Sequence, residues 1–220
     1  MKKLEDHRTI IGEVYYSLIS NDITIPKELE SFMPKEDKYP REILNDLSKD
    51  ENFISNLKNL QFSQNGSLEI KSEDLNSEIS KLLYIMNWKQ GDLNKFRGIV
   101  DGLTSNKSDN TPKEPYVFYQ LGRHIAHGEP LIDQHVLRAF KAFLAYDILK
   151  EKDLVCEKPF KLNFEKVQLH KKLKSEETRI LIVNYINWIQ RICDVEGNLI
   201  EIDKIMFALG KFLKSKLSHD

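Results

Sequence analysis

Apolar residues recur along this chain three and four positions apart, the spacing of helices that bury one face. Ile10, Ile11, Val14, Tyr15 and Leu18 predict a helix over 4–20. Pro26 suits the first turn of a short helix that follows it. Further helices are expected over 41–47, 51–60, 75–88, 93–103 and 164–173. Over 175–194 the apolar positions Ile180, Leu181, Ile182, Val183, Tyr185, Ile186, Trp188, Ile189 and Ile192 predict the most buried helix. There Asn184, Asn187 and Arg191 leave a narrow polar stripe, read as a solvated face. Ile205, Met206, Leu209, Phe212 and Leu213 face a closing helix over 202–217 inward, and its terminal lysines suit the helix dipole. Only 62–71 departs from this period, where Asn65-Gly66 between Phe62 and Leu68 predicts at most one small β-hairpin. The fold class is therefore all-α: a compact multi-helix domain over 1–220, or two packed lobes, 1–110 and 111–220, with a cleft.

The central stretch is 114–141, EPYVFYQLGRHIAHGEPLIDQHVLRAFK. It predicts a helix ending at His127, a break at Gly128-Glu129-Pro130, and a second helix that Asp133 caps. Val136, Leu137, Phe140, Phe143, Leu144 and Ile148 give that second helix its buried face. An aspartate in this position is either a plain cap or a placed catalytic group.

Composition narrows the class without choosing the function. A chain of 220 residues with 40% hydrophobic and 30% charged residues is ordinary for a soluble globular protein. No apolar run approaches the about 20 residues that span a bilayer, and the N-terminus lacks an apolar signal core, so a cytoplasmic protein is expected. Cys156 and Cys193 are too few for a disulfide framework. The net charge of -1 is unevenly spread: residues 1–80 hold 10 Lys/Arg against 16 Asp/Glu, and the remainder 23 against 18. A modestly basic C-terminal part is compatible with a phosphate-facing surface. Phosphate-loop, dinucleotide, zinc-protease and serine-hydrolase motifs are absent from the sequence.

Ile132-Asp-Gln-His-Val-Leu-Arg138 resembles the V-D-T-H-V-x-R segment of the helix–hairpin–helix DNA glycosylase superfamily. Gly128-Glu-Pro130 is similar to the G-x-P break before that segment, and the likeness covers roughly residues 115–141. The resemblance implies removal of a damaged base flipped out of double-stranded DNA, with Asp133 as the catalytic carboxylate. Arg123, His124, His135 and Arg138 would tune that carboxylate or touch substrate, and Trp88, Tyr116 and Tyr119 would stack on the base. Thr111-Pro-Lys-Glu-Pro115 stands where the family has L-P-G-x-G, and no lysine sits at the strand-cleaving position. Cluster-ligating cysteines are absent, so a monofunctional hydrolase without cofactor is implied. The alternative is a non-enzymatic helical module binding DNA or protein. His124, His127, Asp133 and His135 also have ligand chemistry suited to zinc or iron, though no known metal motif.

Overall fold

The computed structural model describes residues 7–34, 52, 61–62, 68–69, 93–109, 111–145, 175–193 and 198–217. These form α1 (Arg8–Ile19), a 3-10 helix (Lys27–Phe32), β1 (Gln61–Phe62) and β2 (Leu68–Glu69). They continue with α2 (Leu93–Leu103), α3 (Tyr116–His127), α4 (Gln134–Ala145), α5 (Ser175–Ile192) and α6 (Leu199–Leu217). The fold is helical, as the spacing predicts, and the strand pair is one short antiparallel ladder that sets Gln61 opposite Glu69. Helices expected over 41–47, 75–88 and 164–173 lie outside the described residues, as do Ile148, Cys156, Asn65 and Gly66, and of the helix expected over 51–60 only residue 52 is described, as helical. Among the described residues no helix is long and apolar enough to cross a membrane.

The chain divides into two compact units, Met1–Tyr39 with Pro130–Asp220, and Pro40–Glu129. The divisions fall at 39/40 and 129/130 rather than near residue 110, because the N-terminal helix belongs with the C-terminal ones and α3 packs on α2. The first unit is built around Trp188 of α5. Phe140 and Phe143 of α4 and Tyr15 of α1 surround its indole at ring separations of 5.6, 5.6 and 6.5 Å. All four rings are buried, which makes Trp188 a core residue, as its period within α5 predicts. α6 adds Ile202, Ile205, Met206, Leu209 and Leu213 to the same core. It begins three residues earlier than its apolar spacing suggests, at Leu199.

α4 and α6 cross at Gly210. A β-carbon built there would lie 1.8 Å from the His135 carbonyl oxygen, so only glycine admits this approach. In the second unit α2 and α3 meet in the same way: a β-carbon on Gly102 would lie 2.0 Å from the Tyr119 carbonyl oxygen. Both contacts oppose backbone to backbone, which no side-chain rotation relieves. Gly210→Ala is therefore expected to push α4 off α6 and destabilise the protein by about 3 kcal/mol. Thermal unfolding should show a Tm lower by roughly 6–12 °C; an unchanged Tm would mean that the crossing is looser than described.

Candidate functional site

Asp133 is the N-cap of α4. Its carbonyl accepts from the Leu137 amide at 3.0 Å. One carboxylate oxygen, Oδ1, accepts from the amides of His135 at 2.7 Å and Val136 at 2.8 Å. Two of the helix's unpaired amides are satisfied by that oxygen alone. Among the described residues nothing hydrogen-bonds the other oxygen, Oδ2.

Asp133 also lines a cavity of about 380 Å³ within the first unit. Met33, Pro34, Leu131, Val136 and Phe207 supply apolar wall, while Asp203, Lys204 and Lys211 join Asp133 as its charged lining. That volume lies within the ~300–1,000 Å³ of small-ligand pockets. Phe207 is fixed edge-to-face on the His135 ring at 5.0 Å, with Lys211 Nζ 5.9 Å from its centroid.

Asp203 occupies the inward stripe of α6 with Met206, Gly210 and Leu213, and is only 3% exposed. Its Oδ2 accepts from the Leu131 amide at 2.8 Å, and its Oδ1 accepts from the Tyr185 hydroxyl at 3.3 Å. Burial pushes its pKa up to about 7; the two hydrogen bonds oppose that rise and the charge of Asp133 adds to it. Burial and the neighbouring Asp203 charge together raise the Tyr185 phenol well above its ordinary value.

Behind Asp133 lies a basic group on α4. Arg138 is buried, donating through Nη1 to His135 Nδ1 at 3.0 Å and to the Gly210 carbonyl at 3.2 Å. Its Nε has no hydrogen-bond partner among the described residues. Because a guanidinium only donates, His135 Nδ1 must accept, and the neutral ring carries its proton on Nε2. Burial lowers the pKa of His135, with Arg138 and Lys214 adding to the fall against the charge of Asp133. Arg138 is lowered by burial too, and Asp133 is the charge that opposes this. Lys141, one turn further along, is likewise buried and lowered by desolvation.

The other expected site residues fall in the second unit or outside the described residues. Trp88 is among the latter. Arg123 is 2% exposed and bonds Glu129 through Nε and Nη2, Ser105 Oγ and the Asn106 carbonyl through Nη1, and the Lys107 carbonyl through Nη2. Burial would lower its pKa, but the bonded Glu129 outweighs it and leaves the guanidinium raised. Arg123 is thus a clamp between α3 and the loop before it, with its donors directed inward rather than toward a ligand. Tyr119 is fully buried in the same unit and Tyr116 partly so. His124 Nδ1 donates to the Glu129 carbonyl at 2.6 Å, and His127 Nε2 to the Ser105 carbonyl at 3.0 Å. Among the described residues no three His, Cys, Asp or Glu side chains assemble into a metal site.

Asp203, Phe207 and Lys211 were not singled out by periodicity. The one available signal was an acidic residue three and seven positions before Met206 and Gly210, on a face otherwise turned inward. Compared with known proteins, the chain matches no family model, no curated protein and no solved structure.

The raised Asp203 has a consequence for stability. Folded, it holds its proton up to about pH 7; unfolded, it releases it near 3.8. Its contribution is fully present below pH 3.8 and lost as pH rises through about 7. At about 1.4 kcal/mol per pH unit the loss is on the order of 4 kcal/mol. Asp203→Asn keeps an acceptor for Leu131 without the titration. Chemical denaturation should show the variant gaining on the wild type from pH 4 to 7, with the difference levelling above pH 8. A difference independent of pH would contradict the assigned proton.

Proposed function

We propose that this chain is a glycosylase-like protein that hydrolyses the N-glycosidic bond of a damaged base in double-stranded DNA, with Asp133 as the catalytic carboxylate. The observation that carries this reading is the cavity lined by Asp133. The residue caps α4 through one oxygen, and among the described residues nothing hydrogen-bonds the other. A base extruded from the duplex would enter between the apolar wall at Met33 and Pro34 and the ring of Phe207. As the C1′–N bond breaks, its electron pair leaves with the base and positive charge builds on the sugar. The Asp133 carboxylate stabilises that charge and orients a water. The water oxygen then bonds to C1′ as one of its O–H bonds breaks, and that proton balances the one taken up by the departing base. Fixed by two amide bonds, the carboxylate needs little reorganisation during the reaction. Lys211 at the cavity wall, and Lys204 beside it in its pair with Glu201, are the cations that would meet the phosphate backbone.

A specific observation favours the second reading, a helical binding module without the reaction. Oδ1 of Asp133 already has a structural task, and a cap of this kind stabilises its helix by about 1 kcal/mol without any chemistry.

Asparagine caps helices about as well as aspartate, so Asp133→Asn removes the charge while keeping the cap. Incubated with duplexes carrying a panel of damaged bases, the wild type should release base, and Asp133→Asn should do so at least about 100-fold more slowly. Asp133→Asn should also unfold within a few tenths of a kcal/mol of the wild type. Undiminished release by the variant would remove Asp133 from the mechanism. Salt-dependent duplex binding by both proteins, with no base released, would select the binding module.

A further inference from the structure

Asp203 is a second carboxyl group of the same cavity, and neither the resemblance nor the proposed reaction assigns it a role. Its two oxygens reach different segments, the Leu131 amide and the Tyr185 hydroxyl of α5. Leu131 stands two residues before Asp133, in the irregular stretch that enters α4. Asp203 and Leu131 are 72 positions apart, so their bond ties that entry to α6.

We propose that Asp203 is a positioning residue, holding the Leu131–Asp133 segment against α6 through a hydrogen bond whose strength depends on the proton Asp203 carries. When Asp203 is neutral its Leu131 bond is an ordinary amide–carbonyl contact, and its hydroxyl donates to the Tyr185 oxygen. When it ionises, Tyr185 becomes the donor and the Leu131 bond becomes charge-assisted, hence shorter and stronger. The cavity then holds two negative carboxylates in place of one.

Other charges around the group bear on this change. Asp133 acts on Asp203 from the segment itself and Tyr185 from α5. On α6, Lys204 and Lys211 stand on the cavity wall, and Glu201 bonds Lys204 at 2.9 Å. From α4, His135 and Arg138 act on Asp133. The N-terminal segment adds Ser31, Met33 and Pro34, none of them ionisable. Asp133 is thus the only carboxylate acting on Asp203 among the described residues, and ionisation of one resists ionisation of the other. The midpoint, about 7, puts the change within the physiological range.

The positioning role rests on the cavity alone; only its consequence for base release rests on the proposed glycosylase reaction. The test follows the Leu131 amide by NMR in the full-length ¹⁵N-labelled chain between pH 5 and 9. Its proton shift should move downfield with a single midpoint near 7. In Asp133→Asn, which keeps its cap, that midpoint should fall by roughly half a pH unit or more. In Asp203→Asn the titration should vanish. A Leu131 amide that does not titrate in the wild type would overturn the proposal, as would a midpoint unmoved by Asp133→Asn. The Asp133→Asn comparison decides the matter even if Asp203→Asn fails to fold. Base release measured over the same range adds an independent arm: an inflection near 7 in the wild type, flattened in Asp203→Asn, supports both readings. Titration of Leu131 without any base release leaves the positioning role standing and removes the enzymatic one.

Discussion

The hydrogen bond from the Leu131 amide to Asp203 is the contact on which the candidate site depends. It joins the entry of α4 to the inner face of α6. Gly210 brings the backbones of the same two helices together at His135. Between these two ties the start of α4 is fixed, and the Asp133 carboxylate with it. An acidic group buried on an apolar helix face carries a desolvation cost that only good partners offset. Here those partners are an amide and a phenol hydroxyl, and the residual cost appears as the raised pKa of Asp203.

Asp133 illustrates how one side chain serves structure and chemistry together. A carboxylate has two oxygens, and a helix N-terminus requires only one of them. The two capping bonds orient the group, so the second oxygen is presented in a fixed direction rather than sampling rotamers. The buried guanidinium of Arg138 supplies a charge of opposite sign without contacting the carboxylate in a hydrogen bond. Its own bonds run to neutral acceptors, the His135 ring and the Gly210 carbonyl. This arrangement keeps a cation near Asp133 while, among the described residues, nothing hydrogen-bonds Oδ2.

Most of the described helices were legible in the sequence because their burial follows one period. Leu93–Leu103, Tyr116–His127 and the cap at Asp133 fall where spacing, glycine and proline place them. What the pattern could not reveal is convergence. The cavity is assembled from segments near residues 33, 133 and 207, far apart in the chain, and periodicity within one helix says nothing of its neighbours in space. Asp203 was hidden for the same reason, since a lone acidic residue in an apolar helix is read as solvated until its partners are known. Arg123 misled in the opposite direction: an arginine near a motif suggests phosphate contact, yet Glu129 and three loop residues take up its donors. The unit boundaries were also out of reach: the one at 39/40 depends on the N-terminal helix packing with residues more than a hundred positions away, and the one at 129/130 on α3 pairing with α2 while α4 pairs with α6.

The central claim is electrostatic: the carboxylate of Asp133 favours a sugar that carries positive charge. Its most direct test compares binding to two duplexes that differ only at an abasic-site analogue, one a cationic pyrrolidine and the other a neutral tetrahydrofuran. The wild type should bind the cationic duplex at least about tenfold more tightly, a difference of roughly 1.4 kcal/mol, and Asp133→Asn should lose that preference. Equal affinity of the wild type for both duplexes would contradict the claim.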